Sequence, residues 1–171
     1  MATRSTISLE LADGRIAQVY AHWDGYLQGN GKILFENYSN PFVLRDLIDL
    51  GDVSSLGAKI GHVHPFSEFE IANNDPERDM KLALLAEAKA EGWTTFYGRD
   101  RGEVYTKARY FNDYAHFLVD HQSEEYDYLL RNVNGVATWF VSDHGGDFIL
   151  LTEAFAEEAR ELAEIAEVGV L

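Results

Sequence analysis

Two short β-like runs meet at Asp13-Gly14, and this junction restricts the fold more than any other feature of the chain. Ile7, Leu9 and Leu11 alternate with Ser8, Glu10 and Ala12 before it, and a second β-rich run covers residues 16–23. Alternation with period two sends successive side chains to opposite faces of a strand. Asp-Gly supplies positive φ at little steric cost, so the pattern predicts a hairpin with a two-residue turn. A second hairpin is predicted where residues 126–131 and 136–141 flank Asn132-Val133-Asn134-Gly135.

Helical signals separate the hairpins. Gly29-Asn30-Gly31 opens a short segment over 32–38. Asn40-Pro41 is a helix start, because Asn caps and the missing proline N–H costs nothing at the first position. Val43, Leu44, Leu47 and Ile48 then form an apolar stripe that exits at Gly51. Asp75-Pro76 repeats the signature ahead of Met80, Leu84, Leu85 and Ala88, with Gly92 as the stop. Residues 51–74 are irregular. Residues 94–97 read as a strand, 98–102 as a charged turn and 104–110 as a strand. Asn112 is the expected cap of a helix carrying Tyr114, Phe117 and Leu118. Thr152 is the expected cap of a last helix with Phe155, Ala159, Leu162 and Ala166 facing inward.

This order predicts an α+β fold: an antiparallel sheet from two hairpins plus one or two further strands, with helices mainly on one face. One domain over 1–171 is expected, with an excursion or insertion around 58–92. A content of 46% hydrophobic and 13% aromatic residues gives such a domain enough apolar surface for a core.

Charge narrows the function classes. The 171 residues hold 29 Asp and Glu against 14 Lys and Arg, a net charge of −15 with His neutral. Such a surface repels phosphate and argues against direct nucleic-acid binding. The absence of cysteine excludes disulfides, thiolate metal sites and cysteine nucleophiles. Residues 1–6 carry no apolar run of a secretory signal, and no stretch approaches the roughly 20 apolar residues of a membrane helix, so a cytoplasmic protein away from the membrane is expected.

Four constellations have a chemical reading beside an ordinary one. In an extended segment His62 and His64 share a side and would converge on a metal with Glu68, whereas loop histidines beside Pro65 ordinarily serve the surface. His22, Trp23, Asp24 and Tyr26 place an imidazole, a carboxylate and two aromatics together as a ligand site, though neighbours on a strand face apart and Asp-Gly is ordinary turn chemistry. Gly29-Asn30-Gly31-Lys32 offers backbone N–H groups to an anion but fails the phosphate-loop pattern at Tyr26 and Ile33. Arg99 and Arg101 between glycines would clamp an anion, or pair locally with Asp100 and Glu103. No cofactor is implied.

The acidic pattern is stronger. Glu153, Glu157, Glu161 and Glu164 fall at steps of four and three on the last helix, where like charges cost roughly 0.2–0.5 kcal/mol per pair. Asp120, Glu124, Glu125 and Asp127 form a second cluster. Both sets read as a partner-facing surface as readily as a solvated one.

The blocks Met1-Ala2-Thr3-Arg4-Ser5-Thr6-Ile7, Tyr20-Ala21-His22-Trp23-Asp24-Gly25-Tyr26, Gly31-Lys32-Ile33-Leu34, Leu47-Ile48-Asp49-Leu50-Gly51-Asp52-Val53-Ser54-Ser55-Leu56-Gly57 and Phe96-Tyr97-Gly98-Arg99-Asp100-Arg101-Gly102-Glu103 stand out, and the hairpin over 126–141 goes with them. Together these blocks resemble a family of small acidic phage and prophage proteins. They span about the first hundred residues, and residues 62–91 are longer than the resemblance leads one to expect. The resemblance brings no catalytic residues. It implies a phage-derived protein acting in the host cytoplasm as an inhibitor of host machinery.

Three functional readings follow. The first is an acidic interaction module of anti-CRISPR or antirestriction type, whose carboxylates mimic nucleic acid and occupy a basic surface on a host protein. The second is a small metal- or ligand-binding enzyme using His22, Asp24, His62 and His64. The third is a homo-oligomer joined through Trp23, Tyr26, Trp93 and Trp139.

Overall fold

Both hairpins form. In the computed structural model, which describes residues 1–169, strands β1 (Ser5–Glu10) and β2 (Ile16–Ala21) pair antiparallel with Glu10 opposite Ile16. The turn between them is longer than predicted. The Leu11 N–H donates to the Arg15 carbonyl at 2.7 Å, and within the loop only Gly14 takes a positive φ, +88°. A two-residue turn of the predicted type needs positive φ at both centres. Asp13 instead accepts from the Arg15 backbone N–H and Nε.

After Tyr26 a wide turn (Leu27–Gly31) leads into α1 (Lys32–Asn37) and α2 (Pro41–Asp49), and Asn40 caps α2 by accepting from the Phe42 N–H at 2.9 Å. Strand β3 (Val53–Ser55) precedes a stretch whose one regular feature is a single 3₁₀ turn at Glu68–Glu70. Helix α3 (Arg78–Glu91) starts beyond Pro76, because Asp75 closes a turn of its own by accepting from the Glu77 N–H. Next come β4 (Thr95–Phe96) and α4 (Tyr97–Arg101). The expected charged turn is therefore helical: Asp100 reaches back to the Phe96 N–H at 2.8 Å and secures the first turn.

Strand β5 (Arg109–Phe111) is shorter than predicted, since Tyr105 is fully exposed at φ +60° and breaks extended pairing. Helix α5 (Tyr114–Asp120) is capped by Asp113, not Asn112, through the His116 N–H. Strands β6 (Tyr126–Val133) and β7 (Val136–Asp143) close on a two-residue turn with Asn134 at +53° and Gly135 at +85°, the mirror-image geometry for which Asn-Gly is suited. Strand β8 (Ile149–Leu150) runs into α6 (Leu151–Val168), which has no side-chain cap; Thr152 lies inside its first turn.

The sheet order is β4-β3-β2-β1-β6-β7-β8, with β5 on β2. Pairs β1–β6 and β2–β3 are parallel and the rest antiparallel, an α+β arrangement. Alternation divides the sheet residues between two cores. Ile7, Leu9, Tyr128 and Leu130 join Leu34, Leu44, Leu47 and Ile48 from α1 and α2, with Leu151 and Ala154 from α6. Ile16 and Leu129 face the other way and meet Phe111 and Phe117 under α5. Helices thus gather mainly on one face.

No residue between Ile60 and Phe96 joins either core. That segment leaves and rejoins the body where the Lys59 N–H donates to Gly92 and the Thr94 N–H donates to Lys59. No helix among the described residues is long and apolar enough to cross a membrane.

Candidate acidic interaction surface

Strand β7 ends at Asp143, and the chain reverses over His144-Gly145-Gly146-Asp147 before β8. His144 and Gly145 take positive φ, the Gly146 N–H donates to Asp143, and the Ser142 hydroxyl donates to the Gly146 carbonyl at 2.6 Å. Pairing of Val141 with Ile149 then sets the start of α6 beside this loop. Loop and helix together wall a cleft of about 220 Å³. Leu27, Val141, Ile149 and Ala154 give it an apolar lining, Tyr126 contributes an aromatic edge, and Asp143, Asp147, Glu157, Glu158 and Glu161 supply carboxylates. No Lys or Arg lines it.

The helix adds to that field. It carries Glu153, Glu157, Glu158, Glu161, Glu164 and Glu167 against Arg160 alone, and among the described residues none of these glutamates is in an ion pair. Gln28 donates to Glu158 at 2.8 Å. Burial pushes the Tyr126 phenol up, reinforced by Asp143, Glu158 and Glu125. At the rim the His144 imidazole hydrogen-bonds the Asp143 carboxylate, which raises the His144 pKa.

Of the residues singled out in the sequence, Glu157 and Glu161 are brought together here and Glu153 and Glu164 extend the same exposed helix. Asp143, Asp147 and Glu158 were missed: Glu158 lies on the same acidic helix and was open to the same reading, whereas the two aspartates flank a His-Gly-Gly turn whose place beside α6 is set by the β7–β8 pairing. Ala159, Leu162 and Ala166 do not face inward. They are exposed, because the body ends near Phe155 while the helix continues.

The 120–127 cluster is not one surface. Asp120 accepts from His116 Nε2 at 3.0 Å, Glu124 from Gln122 at 2.6 Å, and Glu125 from the Arg4 N–H at 3.1 Å. Asp127 is 1% exposed and cannot meet a partner. Its place opposite Ser142 and beside Thr6 turns it into the second core, where Thr6 Oγ1, Ser123 Oγ and the Glu124 N–H donate to it. Burial raises its pKa despite those donors.

The remaining candidates are held by local structure. His64 is buried, with Nδ1 at 2.7 Å from the His62 carbonyl and Nε2 at 3.0 Å from Thr95 Oγ1, while His62 packs edge-on against Trp93. No group of three His, Asp or Glu side chains able to hold a metal forms among the described residues, so Glu68 does not join the two histidines. His22 is hydrogen-bonded through Nδ1 to the Tyr20 hydroxyl at 2.7 Å and packs on Trp23. Asp24 is exposed at φ +58°, and its carbonyl accepts from the Asn30 N–H; Tyr26 is exposed and its carbonyl accepts from Gly29 and Gly31. These bonds occupy the N–H groups of the glycine turn that an anion would need.

Arg99 donates to the carbonyls of Ile60, Gly61 and Thr94 and to the buried Asp100 carboxylate. Arg101 pairs with Glu70 and Glu103 and lies over Phe66 at 4.0 Å. Neither guanidinium is free to clamp an anion.

Comparisons with known protein families, with curated proteins and with solved structures yield no match for this chain.

Proposed function

We propose that this protein is a non-enzymatic, phage-derived interaction module that acts in the host cell by occupying the basic, nucleic-acid-binding surface of a host defence protein. A CRISPR effector or a restriction enzyme has the required chemistry. One observation carries the reading: five carboxylates converge on a cleft with no Lys or Arg in its lining. Carboxylates held at the mouth of a preformed cleft stand in for phosphates, speed encounter with a cationic surface and block the groove. The apolar lining adds a contact that nonspecific repulsion cannot disrupt. The resemblance to acidic phage proteins points the same way.

A ligand-binding enzyme built on His22, Asp24, His62 and His64 has less to support it, since His22 and His64 are engaged with neighbours and none of the four lines the acidic cleft. The test is affinity purification from host lysate with wild type and with Glu157→Gln/Glu161→Gln. A specific basic partner should be retained at low salt, released as salt rises and lost by the variant. Recovery that ignores both salt and the two glutamates would overturn the reading.

A further inference from the structure

The first half of α6 is anchored: Leu151 and Ala154 are buried, and Phe155 packs edge-on against Phe35 at 5.8 Å. From Ala159 to Val168 every residue is exposed, with Leu162 at 59%, Ile165 at 64% and Val168 at 86%. Leu162, two turns beyond Phe155, and Ile165, three residues further, continue the line of Leu151, Ala154 and Phe155, so the face that enters the core runs on with nothing against it among the described residues. Beside it, Ile165 and Val168 share an open surface with Glu161 and Glu164, and Glu161 also lines the acidic cleft.

By itself this half-helix is poorly supported. A helix without packing is marginal below about 12–15 residues. Its charges oppose it further: Glu157 and Glu161 are four apart, and Glu161, Glu164 and Glu167 follow at threes. Glu164 and Glu167 also lie near the carbonyl end of the helix, where the dipole favours cations, and the last turn holds no basic residue. Lysines or arginines supplied from outside would remove both penalties at once.

Building on the interaction reading above, we infer that the 159–168 half of α6 docks a basic amphipathic helix of the partner protein. Leu162, Ile165 and Val168 take its aliphatic side, and Glu157, Glu161 and Glu164 take flanking Lys or Arg. Charge complementarity selects this occupant. A second copy would bring another −15 chain and an equally acidic ridge, and an anionic membrane surface would be repelled. A basic coil without aliphatic residues would leave the apolar face uncovered.

The test uses full-length protein and three synthetic peptides in low-salt buffer: a Lys/Leu amphipathic helix, a scrambled peptide of the same composition, and the amphipathic peptide with Gln for Lys. The first should bind about tenfold tighter than either other and slow hydrogen exchange over 159–168. Leu162→Ser/Ile165→Ser/Val168→Ser, all at exposed positions, should abolish that preference while leaving the weaker binding of the scrambled peptide intact. Equal binding of the two Lys peptides would overturn the docking ridge and leave the acidic-surface reading standing. Absence of binding by both would overturn the two together. Equally tight binding of the Gln peptide would overturn the charge argument. Wild-type dimers in sedimentation that this triple variant turns into monomers would assign the face to a second copy instead.

Discussion

The Tyr128 hydroxyl, fully buried in the main core, donates to the Gly25 carbonyl at 2.6 Å. This bond ties the central strand β6 to the turn that follows β2. Gly25 lies so close to the first strand that an added Cβ would stand 2.8 Å from both Ser5 Cβ and the Thr3 carbonyl. The His-Trp-Asp-Gly-Tyr block is thus a structural junction.

Removing the hydroxyl while keeping the ring tests this. Tyr128→Phe leaves the Gly25 carbonyl without its donor, and an unsatisfied buried acceptor costs about 1–3 kcal/mol. Urea unfolding should show a lower midpoint with an unchanged m value. An unshifted midpoint would show that the bond does not hold the junction.

A second junction rests on Asp100. Its carboxylate is fully buried and accepts from the His64 and Phe96 N–H groups as well as from Arg99, which in turn holds the Ile60, Gly61 and Thr94 carbonyls. Asp100→Ala leaves a largely buried guanidinium unpaired, a change that costs about 3–5 kcal/mol. Hydrogen exchange should quicken across residues 60–101 first. Uniform acceleration over the whole sheet would contradict this local role.

Local signals made much of the fold legible. Asn134-Gly135 and Asn40-Pro41 each state a backbone requirement within a few residues, and both were read correctly. The misreadings that bear on the acidic surface depend on distant partners. Periodicity marked one face of α6 but could not say that the body ends near Phe155, so Leu162 was placed inward. The acidic cleft follows the same rule: Glu157 and Glu161 share a helix and were seen, whereas Asp143 and Asp147 reach it only through the pairing of β7 with β8. Asp127 counts as acidic in sequence yet alternates with Tyr128 into the sheet, a placement that its neighbours alone do not reveal.

Asp127 has a pH signature of defined sign. Burial raises its folded-state pKa above the usual 3.8, so the native state holds this proton more tightly than the unfolded chain. As pH rises from about 3.8 through the raised value, the unfolded state ionises first and native stability from this group falls; above that value the penalty is constant. The stability of Asp127→Asn relative to wild type should therefore improve with rising pH across this window. Carbon NMR should find the Asp127 carboxyl titrating above the ordinary aspartate range. Parallel stability curves for the two proteins would refute the assignment.

His144 gives the acidic cleft its own pH dependence. The hydrogen bond that the imidazole donates to Asp143 raises the His144 pKa above 6.5. Below that raised value His144 is cationic and offsets the Asp143 charge at the cleft rim; above it, all five carboxylates act unopposed. Binding of a polycation such as oligolysine should weaken as pH falls through this range. The change should be about threefold and fade with salt, since the pair is exposed and screened. His144→Gln removes the titrating group and should flatten this pH dependence, with the tighter affinity of neutral pH kept at the acid end. If wild type and His144→Gln gave superimposable profiles, the cation would be bound away from Asp143 and the cleft would not be the binding face.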